Sequence, residues 1–102
     1  MKVDIIFLNI LKFRDKVTDK AKYRVEYLLN DGKAMQDTAT MKGVNSVAFY
    51  TDKEVLWEKL NAKDRLEPMT LVINQVPSKN NPLKIVPVIA QVVTKNGTID
   101  LL

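Results

Sequence analysis

A single helix start signal, set among runs of strand-like sequence, constrains this chain most. Thr51-Asp52-Lys53-Glu54 has the spacing of a capping box, in which Thr51 accepts from the backbone of Glu54 and the Glu54 carboxylate reaches back to Thr51. Asp52 and Glu54 also suit the positive end of a helix dipole. The predicted helix runs through Val55, Leu56 and Trp57 to Leu60 or Ala62, with Leu56 and Leu60 forming an i, i+4 apolar pair. Pro68 forbids its extension past Glu67. Every other patterned segment reads as strand.

Val3 to Phe13 is dense in aliphatic and aromatic residues on both faces, which suits a strand buried on two sides or one that switches faces along its length. Lys22 to Leu29 alternates: Tyr23, Val25, Tyr27 and Leu29 point one way, Lys22, Arg24 and Glu26 the other, with Leu28 the exception. Asp31-Gly32 marks a hairpin turn. A third strand follows, weak over Ala34 to Met41, interrupted at Gly43 and resumed over Ser46 to Tyr50. After the helix, Met69 to Val76 reads as a fourth strand and Leu83 to Thr94 as a fifth, joined by the loop Pro77-Ser78-Lys79-Asn80-Asn81-Pro82. Pro87 cannot donate to a ladder and belongs at an edge or a bulge. Asn96-Gly97 can turn the chain into a short closing strand over Thr98 to Leu102.

Charge is distributed unevenly. The stretch from Lys12 to Arg24 holds Lys12, Arg14, Lys16, Lys20, Lys22 and Arg24 against Asp15 and Asp19, so its local balance of +4 equals that of the whole chain. It spans the connection Arg14 to Ala21, which has neither Gly nor Pro and reads as a longer, mobile loop. The chain has no Cys and no His. Disulfides, thiolate chemistry, zinc sites of the usual kind and a histidine base are thereby excluded. Asp15 with Asp19, and Asp52 with Glu54, are the nearest carboxylate pairs; ion pairing with adjacent lysines and helix capping account for them. Neither a cofactor motif nor metal-ligand spacing is present, and the expectation is a non-enzyme without cofactor or metal. At 102 residues one domain, 1–102, is expected. No run has the length of a membrane span, and Val3 to Leu11 is broken by Asp4 and Asn9 with no cleavage pattern after it, so a cytoplasmic location is the expectation.

The order strand, strand, strand, helix, strand, strand predicts a mainly β fold: a five-stranded, OB-fold-like Greek-key barrel with one short helix between strands three and four. In this pattern, carried by the long hairpin around Lys12 to Arg24, the helix TDKEVLWEKL, the following KDRLEPMTLVI and the loop PSKNNP, the chain resembles small OB-fold single-stranded-DNA-binding proteins of phage and mobile-element type. The resemblance spans nearly the whole chain as pattern, without a specific motif. Where such proteins usually carry a Gly before strand four, Ala62-Lys63-Asp64-Arg65 stands here. The resemblance implies a non-sequence-specific single-stranded nucleic-acid binder, DNA favoured, acting in replication, recombination or transfer. A homo-oligomer and a replication or transfer protein are its expected partners, with no membrane.

On that fold, the Arg14 to Ala21 and Pro77 to Pro82 loops flank the ligand groove. Candidate phosphate contacts are Lys12, Arg14, Lys16, Lys20, Lys22, Arg24, Lys79 and Lys84. Lys22 and Arg24, on a rigid strand, are the stronger candidates for a defined contact; charged hairpin tips also serve simply to stay solvated and unpaired. Candidate base-stacking residues are Tyr50, Phe13 and Tyr23. Tyr23 and Tyr27 share a face with Val25 and Leu29, so core and groove both remain open to them, while Trp57 reads as packing the helix. The rival reading is a protein-interaction module that docks by an edge strand or by the Leu101-Leu102 tail. A nuclease would require carboxylates converging in a cleft.

Overall fold

In the computed structural model, which describes residues 1–30 and 46–102, the chain is mainly β with one short α-helix. The elements are β1 (Lys2–Arg14), β2 (Ala21–Leu29), β3 (Val47–Thr51), α1 (Glu54–Lys59), a 3-10 turn (Ala62–Asp64), β4 (Pro68–Pro77), β5 (Ile85–Thr94) and β6 (Gly97–Asp100). They form a six-stranded sheet in the order β3-β2-β1-β4-β5-β6, with every neighbouring pair antiparallel. The first four strands thus lie in the spatial order 4-1-2-3 of a Greek key. The Asp31-Gly32 turn, the weak strand expected over Ala34 to Met41 and Gly43 lie outside the described residues.

Two expectations change. Six strands are described rather than five, because the Asn96-Gly97 turn delivers a paired strand. Gly97 takes φ +130, a conformation that side chains disfavour, and its carbonyl accepts from the Thr94 hydroxyl at 3.1 Å. The sheet is also open: among the described residues β3 and β6 are its two edges and do not pair with each other.

The missing alternation in β1 has a local cause. Phe7 pairs with Tyr27 and Asn9 with Glu26, so Leu8 is an extra residue without a partner in β2. A bulge shifts the pleat by one residue and moves the inward set to the other parity. Before it Ile5 and Phe7 are buried; after it Ile10 packs against the core. A second register shift, between Val72 and Ile73, leaves Ala90 as the extra residue of β5. Both bulges add twist. Pro87 lies in β5 beyond the reach of β6, on a part of the strand that pairs only with β4 among the described residues, where its missing N–H is tolerated.

The sheet wraps one apolar cluster, in which Phe7 of β1, Val25 of β2, Leu71 of β4 and Val92 of β5 meet Leu56 and Leu60. Helix α1 contacts both β2 and β6, bridging two strands that stand far apart in sheet order. Leu56 is fully buried, a placement worth about 1.5–3 kcal/mol for a side chain of this size.

The capping box expected at Thr51 does not form. Thr51 ends β3, Lys53 occupies the N-cap without a side-chain cap bond, and the Thr51 hydroxyl accepts instead from the Lys53 N–H at 3.2 Å. The capping box sits one turn further on. The Asn61 side chain accepts from the Lys63 N–H, and Asp64 accepts from the Asn61 N–H, both at 2.9 Å. Past this turn Leu66, not a glycine, takes φ +66, with its N–H donating to the Phe7 carbonyl at 2.7 Å.

Candidate functional site

The site begins with cross-strand register. Phe13 pairs with Lys22, and Leu11 pairs with Arg24, which pairs in turn with Tyr50 of β3. Directly opposed residues project to the same face of a sheet. Their neighbours Val25 and Phe49 point into the core, so Phe13, Lys22, Arg24 and Tyr50 stand on the outer face. Phe13 and Tyr50 are both exposed, at 39% and 63%, and their rings meet edge to face with centroids 5.9 Å apart.

The β1–β2 connection is held by its own carboxylates. The Asp15 N–H donates to the Lys20 carbonyl at 2.9 Å, and Asp15 Oδ1 accepts from the Val17 N–H at 2.8 Å. Lys22 Nζ lies 2.6 Å from Asp15 Oδ2, and Arg14 lies 3.2 Å from Asp19. Asp19 takes φ +56, which a short polar side chain tolerates. The charge-assisted bond from Lys22, followed by the Val17 N–H, holds the Asp15 carboxyl below the ordinary carboxylate range. The longer connection expected here spans residues 15–20 and is tied internally by these bonds.

Two surface depressions meet at this point. One, of about 470 Å³, is lined by Phe13, Arg14, Asp15, Lys16, Lys22 and Tyr50. The other, of about 860 Å³, starts from the same Lys22 and Tyr50, passes Lys53, and is walled by Ile73, Val88 and Lys79. Lys22 and Tyr50 line both, so the two depressions adjoin at these side chains; together, as the cleft of this site, they span from the β1–β2 connection past the end of β3 to the β4–β5 loop. That loop is closed by the Ser78 N–H donating to the Lys84 carbonyl at 2.7 Å.

The cleft gathers Phe13, Arg14, Lys16, Lys22, Tyr50 and Lys79 of the expected residues. Lys12, Lys20 and Lys84 are exposed but line neither depression; Lys12 pairs with Tyr23 and so belongs to the opposite face from Phe13. Arg24 is on the outer face but bonded to Glu26 at 3.2 Å, with its Nε buried and without a partner among the described residues. Glu26 accepts in addition from Asn9 Nδ2 at 3.0 Å. The two strand cations expected to make the most defined contacts are thus both already engaged by carboxylates.

Tyr23 is corrected outright. It is only 2% exposed and stacks on Trp57, ring centroids 5.8 Å apart and 25° between planes, so it offers no face to a base. Burial, reinforced by the Glu54 and Glu58 carboxylates, raises its hydroxyl above the ordinary tyrosine value. Tyr27 is half-buried against Phe49 at 6.0 Å, and burial raises its hydroxyl too. Trp57 packs the helix through Tyr23 while keeping 38% exposure.

Sequence reasoning missed Lys53, which sat in an assumed cap; of the ion pairing expected of Asp15 and Asp19 with nearby lysines, Asp15 pairs with Lys22, whereas Asp19 pairs with Arg14. Leu101 is also not the free docking tail of the rival reading: it is 4% exposed and its N–H donates to the Ala90 carbonyl at 2.8 Å, which leaves Leu102 as the exposed end. Among the described residues no helix is long and apolar enough to cross a membrane. No protein-family model, curated protein or solved structure matches the chain.

Proposed function

We propose that the chain binds single-stranded nucleic acid, DNA in preference to RNA, without strong sequence preference, on an open OB-fold-like framework. The Greek-key strand order, the helix between β3 and β4, and a cleft shared by the β1–β2 and β4–β5 connections all support that framework. The sixth strand extends it beyond β5. The preference for DNA, and a role in replication, recombination or transfer, follow from the resemblance of the sequence pattern.

The observation that carries the reading is the exposed Phe13–Tyr50 pair set in a cleft with Arg14, Lys16 and Lys22. Single-strand binding without sequence readout needs an aromatic face for the bases and a track of cations for the phosphates. The edge-to-face pair leaves ring surface open for a base, while Arg14 and Lys16 flank it and Lys79 continues the track across the cleft. A domain of this size covers on the order of 4–16 nucleotides. Self-association along the strand would extend the site, and β3 and β6, the edges among the described residues, are the candidates for it.

Fluorescence anisotropy with labelled oligo-dT at low salt tests the reading. Saturable binding that weakens steeply with salt is expected. No binding at tens of micromolar protein would sink it. Charge reversal at Lys16 and Lys22 should abolish the signal, whereas a pure protein-interaction module would be indifferent to both.

A further inference from the structure

Three cations of the hairpin each carry an internal counter-ion. Lys22 holds Asp15 at 2.6 Å, Arg14 holds Asp19 at 3.2 Å, and Arg24 holds Glu26 at 3.2 Å. All three carboxylates come from the hairpin that supplies the cations, and Asp15 lines the cleft itself. A carboxylate and a phosphate present the same chemistry to an ammonium or a guanidinium, oxygen acceptors bearing negative charge. A phosphate therefore meets Lys22 or Arg14 with part of the donor set and of the charge already taken by a carboxylate, and competes with that carboxylate for the rest.

We infer that Asp15 and Asp19 act as exchangeable internal competitors that set the selectivity of the cleft, admitting a continuous polyanion and rejecting isolated phosphates. This rests on the binding reading above and deepens it. An internal carboxylate competes at an effective concentration in the millimolar range, so a lone phosphate or mononucleotide at lower concentration does not displace it. A strand that supplies several linked phosphates displaces several carboxylates in one event, and its bases add stacking on Phe13 and Tyr50.

The pairs differ in how readily they open. Arg14 and Asp19 are 71% and 81% exposed in their side chains, whereas Lys22 and Asp15 are 38% and 19% exposed. Exposed pairs are weak and screened by salt; partly covered ones hold better. Asp15 is accordingly the dominant competitor and Asp19 the lesser one. Arg24 and Glu26, at 42% and 22%, are covered much as Lys22 and Asp15 are, but Arg24 lines neither depression and Glu26 is further held by Asn9, so this pair stands outside the exchange.

The test compares wild type with Asp15→Asn, Asp19→Asn and Asp100→Asn, using labelled oligo-dT as probe and inorganic phosphate and thymidine monophosphate as competitors at matched ionic strength. Asparagine at position 15 retains a carbonyl oxygen to accept from the Val17 N–H. Asp100 lies on β6, bonded to Gln91 at 2.7 Å, and lines neither depression, so it controls for the same change in net charge. Asp15→Asn should tighten oligo-dT binding about three- to fivefold and Asp19→Asn about twofold, with Asp100→Asn near wild type. Thymidine monophosphate should compete measurably only in Asp15→Asn. Equal tightening in all three variants would reduce the effect to net charge and overturn the inference while the binding reading stands. Weaker binding in Asp15→Asn, measured at a temperature where circular dichroism shows the variant fully folded, would overturn it too. If neither wild type nor any variant binds, the binding reading itself fails and the inference falls with it.

Discussion

Phe13 of β1 and Tyr50 of β3 meet edge to face, 5.9 Å between centroids, across the whole width of β2. Sequence distance hides this pair. It exists because Phe13 opposes Lys22 on one side of β2 while Tyr50 opposes Arg24 on the other, which sets both rings on the outer face, diagonal to each other. Phe13→Ala and Tyr50→Ala should each weaken oligo-dT binding by about 1–3 kcal/mol, the range for loss of one stacking platform, with thermal melting little changed because both rings are exposed. Anisotropy and circular dichroism on the same samples check both halves.

Leu66 stands in the left-handed region at φ +66 while its side chain is 59% exposed. A non-glycine residue costs about 1–2 kcal/mol there, and glycine loses about 0.5–1 kcal/mol of unfolded-state freedom in exchange. Leu66→Gly should therefore stabilise the protein by roughly 0.5–1 kcal/mol, seen as a rise of a few degrees in Tm. A fall in Tm would mean that the Leu66 side chain contributes more packing than its exposure indicates.

Asp64 is the buried member of the real capping box, at 6% exposure. Removing its acceptor leaves the Asn61 N–H without its bond at 2.9 Å. Asp64→Ala should cost about 1–2 kcal/mol in chemical denaturation, and Asp64→Asn distinctly less, since an acceptor oxygen remains.

The Lys22–Asp15 pair sets a pH dependence whose sign follows from the lowered Asp15 pKa. A carboxyl that binds its proton less readily folded than unfolded contributes stability above the ordinary carboxylate range and loses it as pH falls through the folded value. Wild type should thus exceed Asp15→Asn in denaturation midpoint at neutral pH, and the two should converge in acid. Proton-detected titration of the Asp15 carboxyl should place its midpoint below the ordinary range, and Lys22→Ala should move it up.

Much of the fold was legible because its strands obey simple period and turn chemistry. Lys22 to Leu29 alternates, and β2 occupies Ala21–Leu29; Met69 to Val76 alternates, and β4 occupies Pro68–Pro77. Phe49 and Tyr50 were separable as inward and outward by adjacency alone, and Tyr50 is the exposed one. What stayed hidden depended on tertiary choice. Thr51 heads a plausible capping box for α1, but β3 claims it as its last residue, so α1 starts without a side-chain cap; the box at Asn61 caps the separate 3-10 turn. The Leu8 bulge has no composition signal, since every flanking residue is apolar or small in charge, and it decides which of the β1 residues face the core. At the site, residue type identified the cations but not their pairing. Whether Lys22 meets solvent or Asp15 is fixed by the geometry of the turn, where the Asp15 and Lys20 backbones close on each other at 2.9 Å.

The central claim is that one cleft, from Phe13 to Lys79, receives a single strand. Backbone amide and aromatic chemical-shift mapping of the labelled protein during titration with oligo-dT tests it most directly. The account predicts saturable shifts at Phe13, Arg14, Lys16, Lys22, Tyr50 and Lys79, with β6 (Gly97–Asp100) unmoved. Shifts confined to β6 or α1, or no saturable shift at all, would contradict it.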